Sequence, residues 1–192
     1  NLTIRYGSPG IEIFARGTSE FARPIIRNNV IEHCRPGIRP RNEWDWCTGQ
    51  GSERDVSPLI EGNQIRNSAG DGIAGDGFGA PRIRNNQIAR SADDGIQLGS
   101  WTELMSAPAI EGNVIAGNGG FGVNLVTQAE QALQTCPEPP TQDVKQACRI
   151  VNTIIAGNGR GGIRAAATGG QSEVRLEMVN CTVADNYEAG VI

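Results

Sequence analysis

Aromatic residues make up only 5% of this 192-residue chain, and histidine occurs once, at His33. Aromatics supply much of the bulk of an ordinary globular core, so stability here has to come from another source. No Cys-x-x-Cys pair or comparable spacing of metal ligands is present. No apolar run approaches the ~20 residues of a membrane span, which argues against membrane insertion. Positive charge is not in excess either. The net charge of −4 and the lack of a basic stripe argue against nucleic acid as a partner. No leader segment opens the chain, so a mature form or an excised piece is expected.

What is abundant is glycine, with 26 residues, arranged with Ile, Val and Asn in a repeat. Taking a central apolar residue as anchor gives Ile4, Ile31, Ile65, Ile88, Ile115, Ile155 and Val183. Five residues before these stand Ile26, Ile60, Ile83, Ile110, Ile150 and Met178. Two before stand Asn29, Asn63, Asn86 and Asn113, followed by Thr153 and Cys181. Seven after stand Gly72, Gly95, Gly122, Gly162 and Gly190, each followed by Ile or Val, while Gly10-Ile11 and Gly37-Ile38 arrive one residue early. Anchor separations of 27, 34, 23, 27, 40 and 28 make the unit about 23 residues plus insertions. A period of this size means stacked architecture.

The unit is too short for a helix pair and lacks a helical apolar pattern. Short β-branched pieces broken by Asn and Gly predict strands and turns, with the Asn or Gly supplying corners in the left-handed conformation. Three short strands per winding, each lying on its equivalent in the next, give parallel sheets around an Ile/Val interior. Seven windings at one strand spacing make a rod about 30 Å long. The pattern Ile-x-x-Asn-x-Ile-x-x-Asn-x-x-x-Gly-Ile resembles the right-handed parallel β-helix of the pectin-lyase-like superfamily over nearly the whole chain. The resemblance implies an all-β solenoid of about seven coils in a single domain, residues 1–192. That fold hosts lyases, hydrolases, epimerases, adhesins and fibre proteins. An independent check on the register is the column four before the anchor: Arg27, Glu61, Arg84 and Glu111 alternate in sign, as neighbouring strands favour. It continues as Val151 and Val179, an apolar stretch expected to be covered.

Three insertions are read at 39–56, 99–107 and 127–148, all leaving the coil at one corner, where a working face is expected. They hold Trp44, Trp46 and Trp101, the candidate platforms for a sugar. Residues 128–134 read as two turns of helix. The simplest use of five cysteines is two loop staples, Cys34–Cys47 and Cys136–Cys148, with Cys181 a buried thiol. That arrangement implies an oxidising, extracytoplasmic setting, secreted or at a cell surface. Asn1-Leu2-Thr3 and Asn180-Cys181-Thr182 match glycosylation acceptors, and Asn180 is expected to sit within a repeat strand and to be unavailable. No helix caps either end, and end-to-end self-association of bare coils is one expected consequence.

The candidate chemistry is acidic. Six after the anchor, Asp71 and Asp94 fall in one column of adjacent coils, with Asp93 beside Asp94 and Asp76 five residues past Asp71. Gln97, Asn124 and Arg164 stand nine after the anchor on the outward face. Stacked carboxylates suit acid/base work on a glycosidic bond or capture of Ca²⁺ by Asp71, Asp76 and Asp94. The set resembles part of the polygalacturonase site, which would make Asp71, Asp93 and Asp94 the acid, base and water-positioning residues. It departs from that family in having Ala69-Gly70 before Asp71, no Gly-His-Gly motif, and Arg82-Ile83-Arg84 in place of a later Arg-Ile-Lys. Asp before Gly is also a favoured turn dipeptide. His33 beside Cys34 reads as a corner residue rather than a nucleophile pair. Two functions follow. One is an extracytoplasmic structural or binding module, adhesin-like or fibre-forming, with polysaccharide as a partner. The other is a polysaccharide hydrolase or lyase using the Asp cluster.

Overall fold

In a computed structural model the chain is a stack of parallel strands, described for residues 1–15, 21–42, 55–76, 79–100, 106–128, 144–168 and 172–192. No helix occurs among these residues. The anchor sheet has seven strands, from Thr3–Arg5 and Val30–Glu32 through Gln64–Arg66, Gln87–Ala89, Val114–Ala116 and Ile154–Ala156 to Thr182–Ala184. A second seven-stranded sheet runs from Ile11–Ala15 through Ile73–Asp76, Ile96–Ser100 and Phe121–Gln128 to Ala189–Val191. A third, six-stranded sheet runs from Ile25–Arg27 through Leu59–Glu61, Arg82–Arg84, Ala109–Glu111 and Val144–Val151 to Ser172–Val179. Phe21–Ala22 and Asp55–Val56 make a small fourth sheet.

The expected register holds at every anchor. Ile4 pairs with Ile31, then Ile65, Ile88, Ile115, Ile155 and Val183 in turn. Ile26, Ile60, Ile83, Ile110, Ile150 and Met178 form a second such column. Each strand alternates, so one residue in two points inward, and most inward positions are Ile, Val or Leu. Ile65, Ile73, Ile83, Ile88, Ile96, Ile110 and Ile115 have no exposed surface at all. Arg27, Glu61, Arg84 and Glu111 also lie in register, and Glu61 forms ion pairs with Arg27 Nε and Arg84 Nε at 2.7 Å each.

The corners differ from expectation in one respect. The residues in the left-handed conformation are not the fixed-offset Asn residues but their predecessors: Asn28, Gly62, Asn85, Gly112, Asn152 and Asn180, with φ between 49° and 64°. A second left-handed column, Tyr6, His33, Asn67, Arg90, Gly117, Gly157 and Asp185, lies two after the anchor. Freed of that task, Asn63, Asn86 and Asn113 turn inward and are 1% exposed. Asn86 Oδ1 accepts the Asn63 backbone N–H at 2.9 Å, and Asn86 Nδ2 donates to Ile60 O at 2.9 Å and to Asn113 Oδ1 at 3.0 Å. Three after the anchor a second inward ladder runs through Asn118, Asn158 and Asn186.

The fixed-offset glycines are not left-handed either. A Cβ placed on Gly10, Gly37, Gly72, Gly95, Gly122 or Gly162 would sit 2.4–2.8 Å from the carbonyl oxygen of the equivalent glycine one coil on. Glycine is needed there for close approach of backbone to backbone.

The insertions begin in strand. Residues 39–42, 127–128 and 144–148 all belong to sheets, and Ser106 bridges to Gln146. Gln128 ends a strand, and the rest of the helix read at 128–134 lies outside the described residues. Each insertion follows a strand of the second sheet and precedes one of the third.

Gly95→Ala would press a methyl against Ile115 Cγ2 and Gly122 O and should lower the unfolding free energy by about 2 kcal/mol. Gly117→Asn, with φ 65° and open space around it, should change it by less than about 0.5 kcal/mol. Asn86→Ala leaves the Asn63 N–H buried without an acceptor and should cost about 3 kcal/mol. Urea denaturation of the three variants checks all of these.

Candidate functional site

Asp71 and Asp94 stand where the coil turns into the second sheet, each immediately before a close-approach glycine. The two are adjacent, as their repeat position requires: Asp71 Oδ1 accepts the Asp94 backbone N–H at 2.9 Å. Asp94 repeats the motif one coil on. Its Oδ1 accepts the Phe121 N–H at 2.6 Å, and its Oδ2 accepts Asn124 Nδ2 at 2.7 Å. A Cβ on Gly120 would fall 2.2 Å from Asp94 Oδ1, so the small residue there is part of the same turn. Each carboxylate thus stitches its own coil to the next. Asp93 is exposed.

Beside the acids, the outward column of the second sheet reads Glu12, Arg39, Ala74, Gln97, Asn124 and Arg164 in register. Gln97, Asn124 and Arg164 therefore adjoin as expected and are half-buried. The Arg164 guanidinium lies 5.9 Å from the centroid of the Phe121 ring, a cation–π contact. Toward the N-terminal coils, Arg41 Nε donates to Glu12 Oε1 at 2.6 Å and its guanidinium covers the Phe14 ring at 4.3 Å. The whole forms a polar, mixed-charge strip along the rod. Trp44, Trp46 and Trp101 lie outside the described residues, as does the side chain of Asp76. Among the described residues no group of three or more His, Cys, Asp or Glu side chains is placed to hold a metal ion.

Cys34 and Cys148 are free thiols with 0% and 2% exposure, and Cys47 and Cys136, their expected partners, lie outside the described residues. Cys34 occupies the second inward ladder, its Sγ 3.4 Å from the Gly7 N–H and from Glu32 O. Cys181 does the same in the first ladder, 3.4 Å from Ile150 O and Val179 O. Burial pushes the Cys148 thiol up to about 12, so it stays protonated and unreactive at neutral pH. His33 is a corner residue, stacked on Tyr6 with ring centroids 5.5 Å apart. Asn180 is not within a strand, as expected from sequence, but exposed at a left-handed corner between Val179 and Thr182.

With the register and the corner chemistry in place, the family comparison is decisive. Residues 1–136 match the family model for the right-handed β-helix region. The chain belongs to the right-handed β-helix family. No curated protein and no solved structure matches it significantly. No helix of this β-helix, among the described residues, is long and apolar enough to cross a membrane.

One charged cluster of the β-helix escapes a search for active-site motifs. Glu32 is 5% exposed between Arg5 and Arg66, directly after the anchor residue in three successive coils. It bonds both guanidinium groups, that of Arg66 at 2.8 Å. The alternation of sign in the column Arg5, Glu32, Arg66 was the available signal. The Arg66 and Arg5 hydrogen bonds hold the Glu32 carboxyl below its ordinary 4.5. For Glu61 burial works upward, but the Arg84 and Arg27 guanidinium groups outweigh it and the net direction is again down.

A folded-state carboxyl held below its unfolded value contributes stability above that value and loses it as pH falls through the folded one. The urea midpoint should therefore drop as pH is lowered below about 4.5, the ordinary Glu value. Glu32→Gln should flatten that decline relative to the parent when midpoints are compared at neutral and acid pH.

Proposed function

We propose that this β-helix is an extracytoplasmic structural and binding module that engages polysaccharide along its polar strip, and that its acidic column is architectural rather than catalytic. The observation that carries the reading is the occupation of Asp94. Both of its oxygens are committed, to the Phe121 N–H and to the Asn124 amide, and an Asp71 oxygen is committed to the Asp94 N–H. A glycosidase needs one carboxyl free to protonate the leaving oxygen and another facing a water or the anomeric carbon. Carboxylates tied into coil-to-coil turns at 2.6–2.9 Å are poorly placed for either task.

Binding, by contrast, asks for a rigid array of planar polar groups beside an apolar surface. Gln97, Asn124 and Arg164 lie on successive coils, so their spacing is that of neighbouring strands, about 4.8 Å. Beneath them the buried Phe121 ring lies 5.9 Å from the Arg164 guanidinium and braces it. A sugar polymer laid along the rod meets the Gln97 amide and the Arg164 guanidinium, with Asn124 tied to Asp94 between them, and Arg164 favours an acidic one.

Affinity electrophoresis through acidic and neutral polysaccharides, paired with a reducing-sugar assay, tests the reading. Retardation by an acidic polymer without sugar release is expected, and the double variant Gln97→Ala, Arg164→Ala should weaken retention at least about tenfold, the equivalent of about 1.4 kcal/mol. Sugar release that Asp93→Asn or Asp94→Asn abolishes would replace the module with a hydrolase or lyase.

A further inference from the structure

The sequence Asn180-Cys181-Thr182 and its surroundings point to a covalent modification. An N-glycan acceptor requires Asn, any residue but Pro, then Ser or Thr, and a position the bulky sugar can leave without displacing core. Asn180 meets the spatial demand. It is exposed, it stands in the left-handed conformation at φ 52°, and among the described residues no hydrogen bond holds its side-chain amide. Cys181 turns inward to the carbonyls of Ile150 and Val179, while Thr182 is exposed as it opens the next strand. The two groups an acceptor must present, amide and hydroxyl, are therefore both on the outside with the intervening side chain on the inside.

The placement is specific to this coil and the first. The same left-handed corner carries Asn28, Asn85 and Asn152, but two residues later these coils have Val30, Gln87 and Ile154. Only Asn1-Leu2-Thr3 repeats the combination, at the same offset from its anchor Ile4.

We propose that Asn180 is an acceptor for an N-linked glycan. Its Nδ2 displaces the diphosphate from the anomeric carbon of a lipid-diphosphate-linked oligosaccharide. A C–N bond forms, the C–O bond to diphosphate breaks, and the amide gives up one proton as the lipid diphosphate leaves. The proposal rests on the extracytoplasmic reading, since only that compartment supplies the donor and its transferase.

The test is secretion of the chain behind a supplied signal peptide from a eukaryotic cell, with Asn1→Gln as background to leave one acceptor. The released protein should lose the mass of one glycan on N-glycosidase treatment, with Asn180 converted to Asp in the peptide map. Thr182→Val, which keeps a β-branched residue in the strand, and Asn180→Asp, which tolerates the left-handed corner, should both abolish the shift. Asn152→Asp should not. Folded protein released without a glycan on Asn180 overturns the proposal and leaves the extracytoplasmic reading standing. Retention and degradation of every variant inside the cell overturns both.

Discussion

At the two ladder corners of this coil a backbone N–H turns into the interior, and something inside has to accept it. Water is excluded and the neighbouring side chains are Ile and Val, so an unpaired N–H would cost on the order of 1–3 kcal/mol per coil. The asparagine of the next coil meets the need. Its Oδ1 takes the N–H, and its Nδ2 reaches a carbonyl one coil back, so a single amide joins three windings, as Asn86 does for Asn63, Ile60 and Asn113. Substitutes appear where the ladder changes residue: Thr153 Oγ1 accepts the Asn113 N–H at 3.3 Å, and Cys34 and Cys181 hold ladder positions with sulfur. These two thiols belong to the interior polar scheme rather than to the loops.

Close stacking follows from the same geometry. Coils held at strand spacing bring each turn's carbonyl within 2.4–2.8 Å of where a side chain would begin on its neighbour, and only glycine survives there. Outside, the short spacing makes every column a line of near neighbours. Charges of opposite sign settle into Arg27–Glu61–Arg84 and Arg5–Glu32–Arg66. Such pairs contribute modestly on an open surface. Their larger effect is on register, because a shift of one residue would set side chains on the wrong face of the sheet.

The acidic column belongs to this architecture too. Asp71 and Asp94 precede the close-approach glycines and secure the turn by accepting N–H groups from the following coil. A pair of stacked carboxylates in a repeat protein is thus read best from what each oxygen accepts, not from the fact of stacking. Here the oxygens are occupied, the Asn124 amide is spent on Asp94, and the groups left to meet a partner are the Gln97 amide and the Arg164 guanidinium.

The stacked parallel fold and its register were legible because each coil repeats the same few residues, and a repeat leaves one way to superpose its copies. Ile65 over Ile88, Glu61 beside Arg84 and Asp71 against Asp94 all follow from offsets alone. What the offsets could not assign was the role of each residue within the corner. Whether Asn86 or Asn85 takes the left-handed conformation depends on which of two adjacent residues faces the interior. Sequence spacing cannot distinguish glycine chosen for φ from glycine chosen for room. Nor could spacing show that Cys34 points into the ladder or that Asn180 points out. Those are decided by direction, and direction exists only once the neighbouring coil is in place to supply the carbonyl, the N–H or the empty space that each side chain meets.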